Sequence, residues 1–141
     1  MIAPDTSVLI AGFIPDHRFY SVAEAALAEV REDGRLIAHT MAEAYAVLSG
    51  PADVFRVEPG VVVAYLDEFL KDAEPIQPRP DACREALELL AGEGRGGASV
   101  YDALIALTAR DAGATLISID RRAKPTYELC GAEVRFLAEG T

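Results

Sequence analysis

The sequence has no tryptophan, and only two histidines and two cysteines among its 141 residues. Cys83 and Cys130 lie far apart and form no CxxC pair, so they read as reduced, partly buried thiols of a cytosolic protein. His17 and His39 are isolated, which makes either a poor candidate for a metal ligand. The uncharged apolar runs all fall short of the roughly 18 residues that a membrane span needs. No basic segment and no small-residue cleavage site mark the start of the chain as a signal peptide. Cations are also scarce. Thirteen Lys and Arg face 23 Asp and Glu, a net charge of −10. A simple electrostatic nucleic-acid binder would carry the opposite balance. An enzyme that acts on nucleic acid through an acid-held metal is not excluded, and neither is a basic protein partner. There is no GxxxxGK[ST] loop, no serine elbow and no Cys–His signature, which removes the common nucleotide-hydrolysing and nucleophilic designs.

What is present is a hydrophobic fraction of 51% arranged in short segments. The length fits one domain over residues 1–141 with a substantial core. IAP at 2–4 reads as a short buried strand, and a helix or turn begins after Asp5. Residues 21–33 have apolar spacing of three and four and stop at Gly34. RLIAH at 35–39 reads as a second strand, followed by a helix over 40–50 with Thr40 at its N-cap. Helices are predicted over 59–72, 81–94 and 99–113, with PIQPRP at 75–80 at best an edge strand. TLISI at 115–119 reads as a buried strand, RRAKPTYELCG as a short helix containing a proline, and EVRFL at 133–137 as a last strand. Short apolar strands alternating with helices predict an α/β fold, a three-layer α/β/α domain around a mainly parallel sheet of four to five strands.

Four acids stand out against apolar surroundings: Asp5, Glu43, Asp102 and Asp120. Each has an ordinary explanation. Asp5 and Asp120 can cap the segments that follow them. Thr40 with Glu43, and Ser99 with Asp102, have the spacing of a capping box. Their joint placement argues for more. Asp5 and Asp120 follow the C-terminal ends of predicted strands, Glu43 lies in the first turn after another, and Asp102 opens a helix that runs back to the same edge. That is the edge at which open α/β sheets bind ligands. The helix face of Asp102 continues through Ile105, Ala106 and Ala109, so the acid points inward.

Converging carboxylates repel, and no cation beside them in sequence is an obvious partner. Helix N-termini offset only about 0.3–1 kcal/mol each. Either some of the acids are protonated or a divalent cation sits among them. Oxygen-only ligands select Mg²⁺ or Mn²⁺. Thr6, Ser7 and Ser118 are placed to orient the ligands or water. A hard metal among carboxylates suits phosphodiester hydrolysis.

DTSVL at the N-terminus, TMAEAYAVL in the first third and SVYDALIALTARDAGATLISIDRRA near the end resemble the PIN-domain ribonucleases, and among them the VapC-type toxins of bacterial toxin–antitoxin pairs. The resemblance spans essentially the whole chain, and YDALIA…GATLIS-x-DRRA is its most specific part. It implies a PIN-like fold and a Mg²⁺- or Mn²⁺-dependent endoribonuclease that cuts tRNA or rRNA. It places the family's acidic quartet on Asp5, Glu43, Asp102 and Asp120, with Asp5 and Asp102 as the firmest ligands. Ser118 stands where the family often has threonine, and Pro4 where an apolar strand residue is common. A cognate antitoxin and a homodimer follow from the same resemblance. Apolar residues on more than one face of 21–33 and of 59–72, including Val61, Val62, Val63, Tyr65, Leu66, Phe69 and Leu70, also point to a dimer.

Other readings are a PIN-type processing nuclease without an antitoxin and a non-enzymatic metal-binding or interaction domain. A phosphoacceptor receiver domain lacks its acidic pair and middle-strand aspartate here. The loops at 13–20 and 92–98 are candidates to face the substrate. Arg95, Arg121 and Arg122 are candidate RNA contacts.

Overall fold

The computed structural model describes residues 1–51, 56–71 and 73–139. In chain order the elements are β1 (Ile2–Pro4), α1 (Thr6–Ala11), α2 (Tyr20–Asp33), α3 (Ala38–Ser49), α4 (Pro59–Asp67), α5 (Ala82–Gly92), α6 (Ser99–Ala112), β2 (Thr115–Ser118), a 3₁₀ turn (Arg121–Ala123), α7 (Lys124–Leu129) and β3 (Val134–Phe136). Among the described residues no helix is long and apolar enough to cross a membrane.

The sheet is parallel throughout, in the order β1–β2–β3. Ala3 lies opposite Leu116 and Pro4 opposite Ile117. Parallel neighbours need long crossovers, and the one from β1 to β2 takes up most of the chain. Successive strand residues face opposite sides. Ala3 and Leu116 enter a core made chiefly with α5, α6 and α7, while Ile117 enters a second core with α1, α2, α3 and α4. Helices therefore cover both faces of the sheet. Tyr65 of α4 fixes the second core to α1 through a hydrogen bond from its hydroxyl to the Leu9 carbonyl at 2.7 Å.

Among the described residues three strands form the ladder, not the four to five expected. The segment read as a strand over 35–39 is extended only as far as Ile37, because the chain turns helical at Ala38. It makes single bridges, Gly34 with Ile2 and Ile37 with Ile76, and the proline-flanked Ile76 goes no further. Thr40 is likewise not an N-cap. It lies inside α3, and its hydroxyl donates to the Ile37 carbonyl at 2.7 Å. The helix expected over 59–72 leaves α-geometry after Asp67 and continues in turns; its expected last residue, Asp72, lies outside the described residues.

Two glycines shape the chain around β1 and β2. A Cβ on Gly34 would stand 2.8 Å from the Ile2 carbonyl oxygen and from the Val30 Cα, so only glycine lets α2 end this close to β1. Gly113 closes α6 at φ +71° and leads directly into β2.

Candidate active site

The C-terminal ends of β1 and β2 open onto a cleft of about 320 Å³. Its walls include Asp5, Glu43, Asp102 and Asp120, the four acids singled out in the sequence. Each is delivered by a different element, from the end of β1, the second turn of α3, the first turn of α6 and the end of β2.

Asp5 is the most enclosed, 2% exposed. Its backbone N–H donates to the Ile117 carbonyl at 2.9 Å, which ties it to the sheet. One carboxylate oxygen caps α1 by accepting from Val8 N at 3.3 Å and also accepts from the Ser7 hydroxyl. The other accepts from the Tyr127 hydroxyl at 2.8 Å. Burial raises the Asp5 carboxyl above its ordinary value, and the hydroxyls of Ser118, Ser7 and Tyr127 oppose the shift. The cap reading of Asp5 is realised, and capping α1 is what holds the side chain at the cleft.

Asp102 differs in cause. Burial first, then the charges of Asp120, Glu43 and Asp5, push its carboxyl up to about 6, with Arg122 opposing. Ser99 does not cap α6; its hydroxyl donates to the Gly96 carbonyl at 3.0 Å. Glu43 is not engaged with Thr40. It accepts from the Thr6 hydroxyl at 2.8 Å, and His39 Nε2 lies 3.7 Å away. Asp120 caps the 3₁₀ turn, accepting from Arg122 N at 3.1 Å.

The polar residues around these acids form a lattice. Ser7 receives the Ile119 N–H at 3.2 Å and Ser118 receives the Asp120 N–H at 3.0 Å. The three arginines part company. Arg122 lines the cleft and pairs with Asp120 at 3.2 Å, a cationic partner that the sequence reading did not assign. Arg121 instead lies over the Phe136 ring at 4.9 Å. Arg95 borders a separate depression with Leu87, Leu90 and Val100. Of the two loops, Ala98 at the end of 92–98 reaches the cleft wall.

The sequence reading missed Tyr127 and Tyr101. Tyr127 is 1% exposed, and burial with the neighbouring Asp5 charge raises its hydroxyl pKa. Tyr101 lines the cleft beside Asp102 and stacks on His39. Adjacency to the acid was the available signal for Tyr101. Tyr127 carried none, because its partner is 122 positions away.

A PIN domain model matches residues 2–129. The chain belongs to the PIN domain family. Within that family it is 40% identical over 139 residues to Ribonuclease VapC40 of Mycobacterium tuberculosis, covering 97% of this chain and 99% of the relative. It is 33% identical to Ribonuclease VapC27 of the same organism, over 94% of each. Among solved structures, VapBC2 from Rickettsia felis, bound to a DNA fragment from its promoter, superposes with a TM-score of 0.67 at 18% identity, over 98% of this chain and 100% of that one. This PIN domain thus shares its fold at low identity with a chain of the VapBC2 structure.

Among the described residues no three acids, histidines or cysteines stand close enough to form a ready-made metal cage. The donors still suit a hard cation. All are carboxylate oxygens, and the charges of the other three acids help raise Asp102.

Proposed function

We propose that this PIN domain, acting as one unit over residues 1–141, is a Mg²⁺- or Mn²⁺-dependent endoribonuclease and the toxin of a type II toxin–antitoxin pair. The observation that carries the reading is the convergence of four carboxylates from four separate elements on one cleft, where burial first and then the charges of the other three raise Asp102. The two mycobacterial relatives are named ribonucleases, which supports RNA as the substrate. Transfer RNA or ribosomal RNA is the class proposed.

Asp5, Asp102, Glu43 and Asp120 would hold the cation. When bound, the cation supplies Lewis acidity and charge stabilisation at a phosphodiester. The chain's own residues do the rest. Ser7 and Tyr127 fix both Asp5 oxygens. Thr6 aims Glu43. Ser118 holds the backbone of Asp120, and Arg122 neutralises part of that acid's charge at the rim.

The partner proposed is a cognate antitoxin, in line with the VapBC complex that shares the fold. A basic antitoxin matches the net charge of −10. The homodimer is proposed on a smaller surface than the sequence implied. Val62, Tyr65, Leu66 and Phe69 are buried within this chain's own core. Val61 and Val63 of α4 remain 48% exposed, and Tyr45 and Val47 of α3, which packs on α4, are 40% and 49% exposed. The location proposed is the cytoplasm.

The test is incubation of the purified chain with total tRNA and rRNA in Mg²⁺, in Mn²⁺ and in a chelator. Discrete fragments are expected with metal, none with chelator and none from Asp102→Asn. Intact RNA under every metal condition would leave the non-enzymatic reading. Cutting that the co-transcribed neighbour's product does not inhibit would leave the processing-nuclease reading.

A further inference from the structure

Four acids line the cleft, and the arginine that faces them is already paired with Asp120. A polyanionic substrate finds little here to attract its phosphates. If the proposed nuclease reading holds, the cleft needs a means of gripping RNA that does not depend on positive charge.

Tyr101 supplies the geometry. It stands one residue before Asp102 in the first turn of α6 and forms part of the cleft wall. Its ring stacks on His39 of α3, with centroids 5.5 Å apart and planes 14° from parallel. His39 Nε2 lies 3.7 Å from Glu43, one helical turn on, and makes no hydrogen bond among the described residues. One face of the Tyr101 ring is therefore supported from beneath, yet the residue is 48% exposed. A large aromatic ring left open at the mouth of a polar cleft, and kept flat by a second ring below it, is a surface built for a third. Every nucleobase has a π-face, and stacking on an aromatic side chain tolerates any base and needs no cation.

We propose that Tyr101, backed by His39, is a nucleobase-stacking subsite that seats an unpaired base of the RNA beside the acidic cluster. The subsite takes single-stranded RNA, because a base within a duplex keeps its faces covered by its neighbours. Because Tyr101 and Asp102 line the same cleft, a base seated on the ring brings its adjoining phosphodiester toward the acidic cluster.

The experiment measures binding by fluorescence anisotropy in Mg²⁺. The probes are a labelled, uncleavable 2′-O-methyl single-stranded oligonucleotide of mixed sequence and an abasic strand of the same length and charge. Wild type should bind the base-bearing strand roughly fivefold to a hundredfold tighter than the abasic one. That ratio should persist as salt is raised, since stacking is uncharged. Tyr101→Leu should lose the discrimination and cut RNA with a raised KM, whereas Tyr101→Phe should keep both. His39→Ala should fall between them. Circular dichroism and melting of each variant separate binding from folding. If Tyr101→Leu binds and cuts as wild type does, or only melts lower, the stack is a brace between α3 and α6 and the subsite is overturned. If wild type itself neither binds nor cuts RNA, the nuclease reading falls and takes the subsite with it.

Discussion

The hydroxyl of Tyr127 donates to Oδ2 of Asp5 at 2.8 Å, joining α7 to the end of β1 across 122 positions of sequence. Asp5 is 2% exposed and its other oxygen is already engaged by Ser7 and Val8. Tyr127 therefore satisfies the half of the carboxylate that the local cap does not reach. Hydrogen bonds to charged groups contribute about 1.5–3 kcal/mol. Tyr127→Phe is expected to cost an amount in that range in urea denaturation and to lower RNA cleavage without abolishing it. A variant as stable and as active as wild type would show the bond to be incidental.

The raised Asp102 carboxyl makes stability depend on pH. Its ordinary value is 3.8 and the folded protein holds it at about 6. Between those values the folded state binds more protons than the unfolded one, so stability falls as pH rises. In chelator, this contribution should be fully present below about pH 4 and lost as pH rises through about 6. Asp102→Asn should remove it, leaving the variant at least as stable as wild type at neutral pH. Unfolding curves of both proteins across this range isolate the difference. A wild type that gains stability relative to the variant over the same rise would reverse the sign and the argument.

Metal should stabilise the fold in proportion to its binding. A ligand at a hundredfold excess over its dissociation constant adds about 2.7 kcal/mol. Melting with Mg²⁺ or Mn²⁺ is expected to show such a gain for wild type and much less for Asp5→Asn and Asp102→Asn. Equal gains in all three would place the cation elsewhere.

The antitoxin is expected to inhibit by inserting a basic side chain among the four acids, where an arginine pairs bidentately with carboxylates. Inhibition of RNA cleavage by an antitoxin peptide should weaken when its arginines and lysines are replaced. If inhibition survives all such replacements, the peptide acts by steric cover alone.

Sedimentation at micromolar concentration should give twice the chain mass. The exposed valines of α4, Val61 and Val63, are the residues to change. Glu at both should yield a monomer whose melting temperature is little altered, because neither side chain is in the core. A wild-type monomer would remove the dimer.

The sequence revealed what is local. Strand β1, the helix stop at Gly113 and the caps at Asp5 and Asp120 depend on residues within a few positions of one another. The placement of all four acids at one edge was also legible, because chain direction in an alternating α/β pattern dictates it. Sheet membership was not. The run at 35–39 is as apolar as a strand, but whether it pairs depends on where α3 begins and on a distant isoleucine, Ile76. The same holds for Glu43, whose nearest hydroxyl in sequence is Thr40 but whose partner in space is Thr6. Tyr101 on His39 is a contact between helices and leaves no periodic trace.

The parallel pairing of β1 with β2 also governs when the cleft can form during synthesis. Residue 5 leaves the ribosome early, but the strand that seats it begins at Thr115 and the hydroxyl that completes it belongs to Tyr127. Chains fold behind the ribosome as their partners emerge. The cleft is therefore without its Asp102 and Asp120 walls, and β1 without its neighbour, through most of translation. A product that stops just short of β2 carries Asp5, Glu43 and Asp102, but lacks both the strand that pairs with β1 and Asp120. The complete cleft appears only with the last stretch of synthesis, so under the proposed function an antitoxin would have the whole earlier interval in which to accumulate.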